Sequence, residues 1–140
     1  MSQANTDYGT LLQRAGTTIA EVVKISPPEI IQEAVEVTNH SSPSGYREYI
    51  PGGLKEMAEF SADINFLPNY GQHTVISGIM HDVVSGISQS YSLVFPTTPV
   101  VTWTFNALTT RFALADMDAE NPDNLSATIT LRPTGAPTLA

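Results

Sequence analysis

The chain contains no cysteine. That removes disulfide bridges, thiolate metal sites and cysteine nucleophiles together; it leaves the fold to stand on packing alone and is compatible with a reducing cytoplasm. Charge is scarce too: charged residues make up 14% of the 140 positions, against about 25% in an ordinary globular chain. Bases are the rarer sign, with 6 Lys and Arg against 14 Asp and Glu and a formal charge of −8. Scattered from Arg14 to Arg132, they form no cluster that could grip nucleic acid through its phosphates. Also missing is any apolar run near the ~20 residues of a membrane-spanning helix. Met1 to Arg14 lacks the basic start and apolar stretch of a signal peptide. Neither secretion nor membrane insertion is expected, so the Asn-X-Ser sequences at Asn39 and Asn124 carry no glycosylation meaning.

What is there is enough for one core. The length matches a single domain of about 100–150 residues, and 41% of the residues are hydrophobic. Disorder would need low hydrophobicity with high charge. The surface is therefore built from Ser, Thr, Asn and Gln, which suits a strand-rich chain facing solvent or other protein surfaces.

Residues 1–16 are polar apart from Tyr8, Leu11 and Leu12 and read as an N-terminal arm. From Thr17 to Ile25 the β-branched density predicts a strand, ended by Ser26-Pro27-Pro28 because proline cannot donate to a ladder. A second strand is expected at about Glu33 to Thr38. Residues 39–54 read as a long β-β loop of turn residues, and compact domains rarely keep such a length without a use for it. Phe60, Ala62, Ile64 and Phe66 alternate with Glu59, Ser61, Asp63 and Asn65, one face dry and one wet. Ile76, Ile79, Met80, Val83 and Ile87 then fall on one stripe of a helix expected from about Tyr70 to Ser85.

Tyr91, Leu93 and Phe95 lead through Pro96 and Pro99 into Val101, Trp103 and Phe105, which reads as a hairpin. Leu108, Thr110, Phe112 and Leu114 predict a further run on one face. After the acidic loop Asp116 to Asn124, Leu125, Ala127, Ile129 and Leu131 predict the last strand, with Pro133 to Ala140 as a tail. The expectation is a mainly β fold, an antiparallel β-sandwich or barrel of about seven strands with one packed α-helix. A single domain would span 17–137, with 138–140 as a C-terminal tail.

No residue set assembles chemistry. His73 and His81 stand eight positions apart, about 80° around a helix, so they do not share a face as paired zinc ligands would. His81 and the adjacent Asp82 point apart and read as solvated helix-surface groups. Ser85-Gly86-Ile87-Ser88 lacks the nucleophile-elbow pattern. Glu59 and Asp63 would lie roughly 13 Å apart by strand rise, too far for the ~5–9.5 Å of paired glycosidase carboxylates. Gly45, Gly52 and Gly53 form no phosphate-binding loop. Asp116, Asp118, Glu120 and Asp123 lack the spacing of a calcium loop. Arg111 and the lone Trp103 are explained by packing. No catalytic, cofactor or metal residue is expected, and the loop and two ends point to assembly.

One stretch is more specific. Val35-Glu36-Val37-Thr38-Asn39-His40, then Tyr46-Arg47-Glu48-Tyr49-Ile50-Pro51-Gly52-Gly53-Leu54-Lys55 and Glu59 to Phe66, resembles the major tail tube proteins of long-tailed, non-contractile (siphovirus-type) bacteriophages. Trp103-Thr104-Phe105-Asn106-Ala107 and Ala127 to Pro137 resemble the same family, so the likeness runs from about residue 17 to 137. Lys55-Glu56-Met57-Ala58 departs from it, standing where the family has an Asp-Gly-Gly-like turn. Some relatives add an immunoglobulin-like domain, which the end at Ala140 leads one not to expect here.

The resemblance implies a structural virion protein, not an enzyme, of the tail tube fold and without cofactors. It would form homohexameric rings stacked around a tape measure protein, meet tail terminator and tail-tip proteins, and assemble in the cytoplasm of the bacterial host. Double-stranded DNA would pass through the lumen without specific binding, and no membrane would be involved. Tyr46, Arg47, Glu48, Tyr49, Ile50 and Pro51, with Tyr8, Leu11 and Leu12, are the expected inter-ring or inter-subunit contacts. Glu59, Ser61, Asp63 and Asn65 are expected to face the lumen, where acids would repel DNA. The alternatives are the inner tube of a contractile tail, bacteriocin or type VI secretion apparatus, and a β-sandwich carbohydrate-binding or hydrolase domain.

Overall fold

In a computed structural model of the chain the described residues are 8–19, 22–68, 71, 78–97, 99–120 and 124–139. Strands β1 (Leu11–Arg14), β2 (Thr17–Thr18), β3 (Val22–Ser26), β6 (Phe60–Asn65), β7 (Ser88–Phe95), β8 (Val101–Leu114) and β9 (Ser126–Leu139) form one antiparallel sheet. Its order is β2-β1-β7-β8-β9-β6-β3. Strands β4 (Ile30–Glu36) and β5 (Tyr49–Met57) form a separate two-stranded sheet and, among the described residues, pair only with each other. One helix, α1 (Ile79–Ser85), precedes β7. This is the mainly β, one-helix class that the alternation predicts.

The chain forces the sheet to curl. Strands β2 and β3 are its two edges, yet Thr18 and Val22 are only four residues apart. Four residues reach at most about 14 Å, whereas six strand spacings laid flat would need about 29 Å. The two edges must therefore approach each other around a shared interior. That interior is filled by Phe60, Ala62 and Ile64 of β6, Tyr91 and Leu93 of β7, Phe105 and Ala107 of β8, and Ala127, Ile129 and Leu131 of β9. Phe60 meets Phe105 edge-on at 5.4 Å.

Several expectations are corrected here. The strand foreseen from Thr17 to Ile25 is two strands on opposite edges, because the curl carries the chain across from one edge to the other. Leu11–Arg14, foreseen within the arm, is a strand paired with β7. The run Leu108, Thr110, Phe112, Leu114 does not share a face: the register shifts between Thr109 and Arg111, so Leu108 opposes exposed Arg132 while Phe112 opposes buried Ile129. The last strand continues through the foreseen tail to Leu139, and Gly135 takes φ +75° within it. Thr104 pairs with Thr138 but Asn106 pairs with Thr134, so the ladder absorbs extra residues here and Pro133 and Pro137 are accommodated beside an irregularity.

The helix begins at Ile79, later than foreseen, and Gly86 ends it in the left-handed region at φ +66°. Ile87 lies beyond that cap; Tyr70, His73 and Ile76 lie outside the described residues. Its inward face is Ile79 and Asp82, both buried, so Asp82 is not the solvated group that its type suggested. Arg14 of β1 reaches it through two charge-assisted hydrogen bonds, Nε to Oδ2 at 2.7 Å and Nη2 to Oδ1 at 2.6 Å. Tyr91 Oη donates to Asp82 Oδ2 at 2.9 Å and shares a 2.9 Å hydrogen bond with Thr109 Oγ1. The hydrogen bond to Asp82 raises the Arg14 pKa above its ordinary value. Burial pushes the Tyr91 hydroxyl up. One polar cluster thus ties α1 to β1, β7 and β8, and every charge in it has a partner.

Candidate assembly surface

The hairpin β4–β5 projects from this body as an arm. Its root is fixed: Met57 and Pro28 are buried, Ala58 N donates to Glu29 O at 2.7 Å, and Arg132 of β9 pairs with Glu56 at 3.2 Å. Beyond the root every residue of β4 is exposed. The register shifts between Gln32 and Ala34, where β5 carries Gly52 and Gly53. A Cβ on Gly52 would stand 3.0 Å from Glu33 Cβ and 3.2 Å from Glu33 O, and Gly53 has φ +86°. Glycine is used here because the backbones come too close for a side chain at 52 and turn left-handed at 53.

The tip is a structured turn. Val37 N donates to Glu48 O at 2.9 Å, and Thr38 Oγ1 accepts from Glu48 N at 2.8 Å. Asn39 Oδ1 accepts from Ser41 N at 2.8 Å, and Ser42 Oγ donates to Glu48 at 3.2 Å. A short 3-10 turn at Pro43–Gly45 closes it, with Ser44 at φ +56°. The foreseen loop of 39–54 is therefore a shorter turn followed by a strand, since residues from Tyr49 onward pair with β4. Lys55, Glu56 and Met57, the departure from the family pattern, are part of that strand.

Tyr46, Arg47, Glu48, Tyr49, Ile50 and Pro51 are brought together at the outer half of this arm. Tyr46 is 75% exposed, and Arg47 lies 3.9 Å from Glu36 in an open ion pair. The remaining foreseen contacts are elsewhere. Tyr8 is exposed next to Gly9, whose Cβ position would face Pro96. Leu11 is partly exposed on β1. Leu12 is fully buried in the chain's own core, which corrects its expected place on a contact surface: strand alternation turns it inward against β7.

Ser61, Asp63 and Asn65 lie on the face of β6 opposite to the core, and Glu59 is exposed in the link before it. Thr128 Oγ1 donates to Asp63 at 2.8 Å, Asn124 Nδ2 donates to Asn65 Oδ1 at 2.6 Å, and Lys24 of β3 is the strand partner of Asp63. Hydroxyls of Ser26, Ser126, Thr128 and Thr130 occupy the same side of the neighbouring strands. Among the described residues this face carries Asp63 with two cations, Lys24 opposite it and Arg111 of β8 opposite Thr130, among amides and hydroxyls.

The other candidates assemble no reactive centre among the described residues. No group of three His, Cys, Asp or Glu is placed to hold a metal ion. Asp118 Oδ1 accepts from Glu120 N at 2.9 Å, in a turn of the chain's own making, and Asp123 lies outside the described residues. His81 Nε2 is 3.2 Å from Ser85 Oγ. Trp103 is half-buried, edge-on to Phe95 at 5.2 Å. Sequence reasoning missed the Arg14–Asp82 pair; a lone Arg and a lone Asp amid apolar residues were the available signal.

No protein-family model matches the chain, and no curated protein matches its sequence. Solved structures share its fold over nearly its whole length. A chain in the structure of the sheath/tube terminator of an extracellular contractile injection system, in the extended state, matches with TM-score 0.74 at 15% identity, covering 99% of this chain and 98% of that one. A chain in the six-fold symmetrised anti-feeding prophage baseplate matches with TM-score 0.75 at 14% identity, covering 100% and 97%. A chain in the tail of an empty gene transfer agent particle, refined helically with C6 symmetry, matches with TM-score 0.75 at 17% identity, covering 98% and 99%.

Proposed function

We propose that the protein is the structural subunit of a phage-type tail tube. It polymerises as stacked hexameric rings around a tape measure protein, meets tail terminator and tail-tip proteins at the ends, and forms the conduit through which double-stranded DNA is ejected into a host bacterium. Assembly takes place in the host cytoplasm, and the product resides in the virion tail. The observation that carries this reading is the exposed arm, whose apolar residues the subunit's own body leaves uncovered. Surfaces of that kind mark protein contacts. The six-fold symmetry given for two of the matching assemblies supports the hexameric ring. A ring of identical subunits closes by rotation, while the contact between rings propagates along the axis.

In this reading the outer face of β6, with Ser61, Asp63 and Asn65, lines the lumen and Glu59 stands at its rim. The wall then carries hydroxyls and amides with one acid, Asp63, and two separated cations, Lys24 and Arg111, a mixed surface without the clustered basic patch that would hold DNA by its phosphates. The role is mechanical and needs no catalytic group.

A second reading, the inner tube of a contractile tail, bacteriocin or type VI apparatus, is favoured by the match within a contractile injection system. Negative-stain electron microscopy at rising protein concentration, with sedimentation of the same samples, tests both. Rings or hollow tubes of uniform diameter are expected. A monomer that persists with tape measure and tail-tip proteins added would sink the tube reading. Decoration of the tubes by a sheath protein would select the contractile form.

A further inference from the structure

Two register shifts on different strands have the same effect. Residues two apart in an unbroken strand share a face, and residues directly opposite each other across a ladder share one too. On β3, Val22 opposes buried Ile64 and so faces inward. Lys24 opposes Asp63 on the outer face of β6, and the register shifts between Val22 and Lys24. On β8, Thr109 is buried and opposes buried Leu131, whereas Arg111 opposes Thr130, the partner of Ser61 on that outer face. The register shifts again between Thr109 and Arg111. Unbroken alternation would drive both bases into the core. Each shift turns one of them out, and both end exposed on the same side of the sheet. Re-aiming a side chain is what a β-bulge does, and an apolar residue at either position would have needed none.

Among the described residues neither base has a carboxylate partner. Acids outnumber bases 14 to 6 in the chain, yet the ion pairs formed are Arg14–Asp82, Arg47–Glu36 and Arg132–Glu56. Asp63, across the ladder from Lys24, accepts from Thr128 instead. By backbone spacing Lys24 and Arg111 stand roughly 16 Å apart, three strand intervals across and two residues along. That exceeds the screening length of about 8–10 Å at ordinary salt, so they act as two solitary cations and not as one patch.

We propose that Lys24 and Arg111 are two built contact points for the phosphates of a DNA duplex moving along this face. The inference rests on the tube reading, in which the outer face of β6 is the wall. A polyanion is the occupant because the face presents exposed cations without counter-charges of their own, in a chain whose net charge of −8 otherwise repels it. Solitary contacts form and break as a duplex advances, whereas a basic cluster would displace many counterions at once and hold it. Repetition in every copy spreads the contacts along the wall and makes the drag even and dependent on salt.

The test is retention of a short DNA duplex by assembled tubes, read by co-sedimentation across a salt series. Parent tubes are expected to retain the duplex at low salt and to lose about tenfold or more in affinity between about 50 and 200 mM salt. Lys24→Gln and Arg111→Gln are expected to assemble, since both side chains are exposed, and to retain several-fold less. The double variant should retain at least about tenfold less, with a flatter salt dependence. Arg111→Lys should retain like the parent. Parent tubes that retain no duplex at low salt, or glutamine variants that retain it as the parent does, overturn the proposal and leave the tube reading standing. Glutamine variants that fold but form no tubes make the two bases contacts between copies, which overturns it as well. Should a glutamine variant fail to fold by circular dichroism, Ser61→Lys decides: an added cation on the same face must raise retention, and unchanged retention overturns the proposal. An unsubstituted chain that never assembles overturns both the proposal and the tube reading.

Discussion

Arg14 and Asp82, 68 positions apart, are joined by a bidentate pair with both partners almost fully buried, at 6% and 1% exposure. The pair fixes the strand before the first turn to the helix that closes the core. Its energetic weight lies mainly in what happens when one member is lost. Removing one partner of a buried pair strands the other charge and costs about 3–5 kcal/mol, whereas replacing both by apolar groups of similar size can be nearly neutral.

Arg14→Met and Asp82→Leu are therefore each expected to lower stability by about 3–5 kcal/mol, and the two together by clearly less than the sum of the single losses. Urea unfolding midpoints of the two singles and the double decide this. A fully additive double would show that the two groups do not act as a pair.

Tyr91 gives a pH signature. Burial raises its pKa in the folded chain above the ordinary value of about 10. Its contribution is fully present below that ordinary value and is lost as pH rises above it, because the unfolded chain releases the proton first. Unfolding free energy should fall above about pH 10 more steeply in the parent than in Tyr91→Phe. Equal slopes would refute the assignment.

Neighbouring leucines of β1 should behave oppositely. Leu12, fully buried, is expected to cost about 2–5 kcal/mol as Ala. Leu11, 41% exposed, should cost about 0.5 kcal/mol or less. Thermal unfolding of the two variants would expose a reversed strand face at once.

Gly52→Ala should loosen the arm without unfolding the body, because the added Cβ meets Glu33 Cβ at 3.0 Å and its carbonyl at 3.2 Å. Amide exchange along Ile30–Glu36 is expected to quicken while β6, β7 and β9 keep their protection. Unchanged exchange in β4 would mean that the strand can give way.

Much of the body was legible. Strict alternation at Phe60–Phe66 placed β6 and both of its faces, and the two prolines after Phe95 marked the β7–β8 hairpin. The arm was only partly legible. Its turn chemistry at 39–48 was plain, but Pro51, Gly52 and Gly53 also read as turn and hid β5, because a bulge and a turn use the same residues. The residues from Tyr46 to Pro51 were singled out through the family likeness, and the structure shows them together on the arm with Tyr46, Tyr49 and Ile50 exposed; Leu12 is buried, because a short apolar cluster does not say which of its members turns inward.

The sequence by itself determined the strand-rich class and the covalent simplicity of a chain without cysteine, since composition and two-residue periodicity are local properties. Only the tertiary structure decided that β2 and β3 part to opposite edges, that register shifts re-aim β8 and β9, and that Asp82 is buried against Arg14. It also decided that β4 and β5 stand apart from the body with both faces exposed. Those features depend on which strands pair and how far the sheet curls, and neither is carried by any one segment.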